Sequence, residues 1–207
     1  MRQQITVFAT LALLMSWGPV ALSRQASTPS PDATPSPIGE SGLVLLTEVQ
    51  VPNGLVMIMD GERALDDIVA NFTDPITATA QFEEWDWRRN VVRAFNVPEG
   101  TTLDPAEIDG IYISVHEFGD STAAMDALDY TFATHIGGST FEEIETEPLG
   151  DYSRALYGEV PYGHEITFYV QAGELMIRFS ASSPEGDPRE EAEAQLRLML
   201  DSLEPDS

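Results

Sequence analysis

The groups able to do chemistry in this 207-residue chain are unevenly supplied: 35 carboxylates, 10 arginines, three histidines, and neither cysteine nor lysine. Without cysteine there is no thiol nucleophile, no thiolate metal site, no disulfide and no lipid-modified cysteine. His116, His135 and His164 lack H-E-x-x-H spacing, although His116-Glu117 and His164-Glu165 both occur. The chemistry open to them is a metal or acid–base site assembled across strands from His116, His164 and carboxylates. The acids form no D-x-D-x-D-G calcium loop, and their number alone gives no support to a carboxylate pair for glycoside hydrolysis. Gly119-Asp120-Ser121 sets a hydroxyl beside an acid, but Asp120 also stands where a helix N-cap is required, and capping explains it.

Strand parity gives a more coherent arrangement. In Ile111 to Phe118, Tyr112, Ser114 and His116 alternate with Ile111, Ile113 and Val115. Thr167 and Tyr169 alternate with Ile166, Phe168 and Val170, and Met176 and Arg178 with Leu175, Ile177 and Phe179. On that parity Tyr112, His116, Tyr169 and Arg178, joined by Arg93, are candidate ligand-binding residues. Aromatic rings, a few hydrogen-bonding tips and a cation suit a small anionic or amphipathic ligand. The competing account is a solvated sheet face, where tyrosine and threonine are present because they suit strands. Arg178, inside an otherwise apolar strand of an arginine-poor chain, is the sharpest of the set. Trp85-Asp86-Trp87-Arg88-Arg89 is either a contact patch or the end of a helix. In the second case Trp85 closes the stripe of Ala78 and Phe82, while the arginines serve the helix C-terminus and nearby carboxylates.

The elements that must position these residues follow from period and caps. Leu43 to Val51 and Leu55 to Met59 predict two strands joined by Pro52-Asn53-Gly54. Leu65, Ile68, Val69 and Phe72 have helical spacing. Asp74-Pro75 and Asp187-Pro188 each open a helix with a capping acid and a proline at the first position. Asp120 caps another helix through Ala124, Leu128 and Phe132, while Asp104-Pro105 opens only a turn. Shorter strands are expected near Val91 to Asn96, Phe141 to Thr146 and Arg154 to Val160. The order, β-β-α-α-β-β-α-β-β-β-β-α, predicts an α+β fold: an antiparallel sheet of about five to seven strands with helices packed mainly on one face.

Composition sets the address. Arg2, an apolar run from Ile5 to Leu22 and the small residues Ala21-Leu22-Ser23 read as a signal peptide over 1–23. Residues 24–41 read as a Pro/Ser/Thr-rich disordered tether, and 42–207 as a single acidic domain. Ile5 to Leu22 also approaches the length of a bilayer span, so a retained N-terminal anchor with the domain outside is the alternative to secretion. The formal net charge is −25. Cleavage after Ser23 removes Arg2 and no acid, giving −25 − 1 = −26. Such a surface repels nucleic acid and anionic lipid and attracts cations. The expected partners are a small molecule, a cation or a surface protein, with no nucleic acid and no membrane unless the leader stays as an anchor; no cofactor is indicated.

From Arg93 to Leu203 the chain runs as a strand ending in Phe118-Gly119-Asp120, an Ala-rich helix, a Gly150-Asp151 turn, two strands around Ala172-Gly173-Glu174 and a closing amphipathic helix. In this order and spacing it resembles small exported bacterial α+β domains of the PsbP-like and PknH-sensor-like kind. It departs from the sensor type in lacking paired cysteines. The resemblance implies a non-enzymatic binding or sensing module outside the cell. The rivals are an extracellular hydrolase using carboxylates or a histidine pair, and a structural component of the cell envelope.

Overall fold

The computed structural model describes residues 45–52, 54–102 and 104–203. The expected signal peptide and tether lie outside the described residues. The described chain forms one antiparallel sheet of β1 (Val56–Arg63), β2 (Arg89–Asn96), β3 (Gly110–Glu117), β4 (Glu142–Ile144), β5 (Tyr152–Val160), β6 (Gly163–Ala172) and β7 (Leu175–Ser183). Its helices are α1 (Leu65–Val69), α2 (Pro75–Glu84), α3 (Ser121–Gly137) and α4 (Arg189–Leu203). The strand order is β1-β2-β3-β7-β6-β5-β4. Two meanders, β1-β2-β3 and β4-β5-β6-β7, therefore meet where β3 pairs with β7.

The caps act as the sequence requires. Asp74 accepts from the Thr77 amide at 3.1 Å and Asp120 from the Ala123 amide at 2.9 Å, each satisfying an amide the helix leaves without a partner. Gly150 (φ 61°) swings the chain into β5, and a Cβ there would lie 2.5 Å from Gln171 O. The neighbouring Asp151 bonds the Gly173 amide at 2.8 Å, tying that turn to the β6–β7 hairpin.

Period-two alternation gives the sheet two different faces. Ile111, Ile113, Val115, Ile166, Phe168, Val170, Ile177 and Phe179 pack with Ala192, Leu196 and Met199 of α4. On the other face Leu156, Tyr169 and Met176 pack beneath Ile68 of α1, Phe82 of α2, and Ala124, Leu128 and Phe132 of α3. The α+β class and the antiparallel sheet stand, with three helices on one face and α4 on the other. The face bearing Tyr112, His116 and Arg178 is the three-helix face. It is roofed where α2 and α3 bring apolar stripes of their own that need burial.

One expected strand is absent. Among the described residues of Leu43 to Val51, none is a strand; Thr47 to Gln50 turns, with Gln50 N donating to Thr47 O at 2.9 Å. Leu45 and Leu46 are buried all the same. Their carbonyls accept from the Arg93 guanidinium at 3.3 and 2.8 Å, so the apolar run enters the core without a ladder partner. Among the described residues no helix is long and apolar enough to cross a membrane.

Candidate functional site

Down the three-helix face runs a polar seam set by the strand registers. Arg63 of β1 stands opposite Asn90, and Asn90 opposite His116. One step along, Ser114 stands opposite Arg178, and Arg178 opposite Tyr169. A further step places Ser180 between Tyr112 and Thr167. Tyr112, His116, Tyr169 and Arg178 thus share one face of three adjacent strands. Arg93 is not with them. It stands opposite Ile113 on the α4 face, where it binds Asp60 at 2.9 Å and the Leu45 and Leu46 carbonyls.

Hydrogen bonds bind the near half of the seam together. Arg63 Nε donates to Asn90 Oδ1 at 3.0 Å and Arg63 Nη2 to Ser114 Oγ at 3.4 Å. Asn90 Nδ2 donates to Ser114 Oγ at 2.8 Å and to Val115 O at 3.0 Å. Trp87 Nε1–H donates to His116 Nδ1 at 3.2 Å, which leaves the imidazole proton on Nε2, facing Ser114 Oγ at 3.2 Å. Burial, then the charges of Arg63 and Arg178, push the His116 pKa down to about 3, so the ring is neutral. Ser114 and His116 are therefore not a nucleophile and its base: the imidazole donates to the hydroxyl and has no lone pair turned toward it.

Arg178 occupies the middle. Its Cζ lies 5.6 Å from the Tyr112 ring centroid, and its Nε is fully buried with no hydrogen-bond partner. Its charge bears on several groups at once. After burial it is the second cause holding the His135 pKa at about 4, and it opposes the upward shift that burial gives Glu165 and Tyr169. His135 Nδ1 and Tyr169 OH lie 2.8 Å apart. Glu165 accepts from Thr167 Oγ1 at 3.0 Å, and Thr167 Oγ1 is 2.7 Å from Ser180 Oγ. On α3, Thr131 Oγ1 is another buried polar atom without a partner, one turn before His135.

The remaining candidates separate. His164 stands opposite Ser183, seven residues along β7 from Met176, the partner of His116. That spacing is about 23 Å, too far for a shared metal or acid–base pair. Among the described residues no cluster of three or more His, Asp or Glu is placed to hold a metal ion. In the Trp85 to Arg89 segment, Trp85 packs on Phe82, Phe118 and Tyr130, and Arg88 and Arg89 pair with Glu117. Trp87 instead reaches the seam, and with Arg63 and Asn90 it is a seam residue that strand parity missed. Arg63 lies beyond the apolar run that marks β1, so nothing in its neighbourhood pointed to this face. Asn90 carried a faint signal, a polar residue on the parity of Val92 and Ala94.

A separate shallow groove of about 620 Å³ lies between β4 and α4, lined by Ile144, Phe168, Arg189 and Arg197 among others. It holds none of the seam residues. Arg189 and Arg197 there are matched by Asp187 and Glu193. With its cations satisfied internally, the groove makes a weaker candidate than the seam.

No protein-family model matches the chain, and no curated protein matches it. Among solved structures it is similar to the extracellular domain of PknH from Mycobacterium tuberculosis, at 8% identity and a TM-score of 0.42. The match covers 71% of this chain and 82% of that one.

Proposed function

We propose that this chain is a secreted, non-enzymatic binding or sensing domain that takes a small ligand at the seam around Arg178. The observation that carries the reading is the Arg178 guanidinium: placed in a central strand, with a fully buried Nε that bonds nothing. A buried polar atom without a partner costs about 1–3 kcal/mol, and such groups mark a site completed by water or ligand. Tyr112 and Arg178 keep partial exposure above the buried Ser114, Thr167 and Ser180, so the seam has a way in. The secretory address rests on the leader-like residues 1–23 and the tether that follows.

The test is a thermal-shift screen of the domain against lipids, sugars, cations and small acids, repeated on Arg178→Ala. A compound that raises the melting temperature of the wild type and not of the variant supports the reading. If nothing in the screen shifts the melt, the ligand idea is lost. Sequencing the N-terminus of the exported protein decides between a cleaved leader and a retained anchor. Recovery of specific surface proteins by the intact domain, without any small-molecule response, would favour the structural envelope role.

A further inference from the structure

We propose that Arg63, Ser114 and Arg178 form a seat for the carboxylate of a small organic acid. This deepens the reading above and rests on it. The arginines are unevenly paired. Six of the eight described arginines are ion-paired: Arg88 and Arg89 with Glu117, Arg93 with Asp60, Arg154 with Asp129 and Glu143, Arg189 with Asp187, and Arg197 with Glu193. Arg63 and Arg178 have no carboxylate within ion-pair distance among the described residues, although the charge of the buried Glu165 is felt by Arg178 across the seam. In a chain with 35 acids and a net charge of −25, two cations without a direct ion pair on the same face form a local exception.

Donors are in excess around Ser114. Three N–H groups converge on Ser114 Oγ, from Asn90 at 2.8 Å, His116 at 3.2 Å and Arg63 at 3.4 Å. A hydroxyl oxygen has two lone pairs, so the longest of these, from Arg63, is the poorest served. Ser114's own hydrogen meets no acceptor among the described residues once His116 is a donor. Across the β3–β7 ladder from Ser114 stands Arg178, with its unpartnered Nε. Directly opposed side chains start about 4.5–5.5 Å apart at Cβ. Arg63 thus bonds the Ser114 hydroxyl directly opposite Arg178, and two cations and a hydroxyl with hydrogens to offer occupy neighbouring positions of one face. An oxyanion supplies what is missing.

The surroundings select the oxyanion. A dianion pays the repulsion of the acidic surface twice over, and its desolvation cost rises faster than its charge. Beside Ser114 and His116, both nearly inaccessible, a singly charged carboxylate is favoured over phosphate or sulfate. The Tyr112 ring beside Arg178 offers an apolar wall for the rest of a small acid.

The experiment is calorimetric titration of the full domain at low salt with acetate, benzoate, neutral benzamide, inorganic phosphate and sulfate. A carboxylate is expected to bind saturably, with affinity falling about ten-fold or more in R178Q and in R63Q and holding in R197Q on the other face. Circular dichroism verifies the fold of each variant. Should R178Q not fold, R63Q and R178K carry the same comparison, since lysine keeps the charge but loses the fork. Phosphate or sulfate binding more tightly than both carboxylates overturns the carboxylate assignment. Benzamide binding as well as benzoate overturns anion recognition while leaving a ligand-binding seam intact. If no compound of any charge binds in a way that Arg178 controls, both readings fail together.

Discussion

Arg93 and Arg178 sit on opposite faces of one sheet, and of the two only Arg93 is ion-paired, to Asp60 at 2.9 Å. Arg178 has an aromatic ring and an unpartnered Nε. The two cations therefore act oppositely on stability. Replacing Arg178 by methionine, which keeps the stem and removes the charge, should stabilise the ligand-free domain. The gain from removing an unmet buried donor is offset in part by about 0.5–1 kcal/mol of lost cation–π contact. The expected net is about 1 kcal/mol, a rise of about 3 °C in melting temperature for a domain of this size. An unchanged or lowered melting temperature would mean that Arg178 is a structural cation.

Arg93→Met should do the reverse. Arg93 is 5% exposed and serves two buried carbonyls as well as Asp60. Its removal leaves the backbone of Leu45 and Leu46 without donors in the core, at about 2–4 kcal/mol. Urea unfolding measures the loss, and hydrogen exchange should quicken first in β1, whose pairing with β2 joins Asp60 to Arg93. A loss below 1 kcal/mol would mean that the N-terminal segment packs by its leucines alone.

Most of this architecture was legible because it is local. Asp74, Asp120 and Asp187 announce helices whose caps depend on residues two or three positions away. The alternation of Ile111, Ile113 and Val115 announces a strand by the parity of its own side chains. Leu43 to Val51 misled for the same reason. An apolar β-prone run can be buried by a cation from 47 residues away, as Leu46 is by Arg93, and no local rule anticipates that. The site divides similarly. Parity grouped Tyr112, His116, Tyr169 and Arg178 correctly on one face, yet placed Arg93 with them because it could not relate β2 to β3. Arg63, Asn90 and Trp87 join the seam only through tertiary pairing, and that the roof is three helices instead of water depends on where α2 and α3 come to rest.

Stability should depend on His116 in mild acid. Its folded pKa of about 3 lies below the ordinary value of 6.5, so between the two the unfolded chain binds the extra proton. The neutral ring's contribution is complete above pH 6.5 and is lost as pH falls toward 3. The slope is about 1.4 kcal/mol per pH unit at most, so about 1–2 kcal/mol goes between pH 6.5 and 5. His116→Gln removes this titration and keeps a side chain able both to donate and to accept. Urea stability of the wild type should therefore fall more steeply than that of the variant over this window, while His135, shifted in the same direction, adds equally to both. Parallel curves would refute the burial assigned to His116.

Trp87 should control which nitrogen of His116 carries the proton. The indole N–H at 3.2 Å engages Nδ1 and leaves the hydrogen on Nε2, aimed at Ser114. Trp87→Phe keeps an aromatic ring beside the seam and deletes only that donor. Nδ1 is then a buried acceptor without a partner, at about 1–2 kcal/mol of stability. The ring regains the option of protonating Nδ1 and turning the Nε2 lone pair to Ser114, which would draw the serine hydrogen inward. Nitrogen chemical shifts of the imidazole should read an Nε2–H tautomer in the wild type and a mixture in the variant. If a carboxylate occupies the seat, the variant should also bind it more weakly, because Ser114 would then spend its hydrogen on His116. A wild-type ring protonated on Nδ1 would turn a lone pair toward Ser114, give the serine hydrogen an acceptor and remove the excess of donors that calls for an oxyanion there.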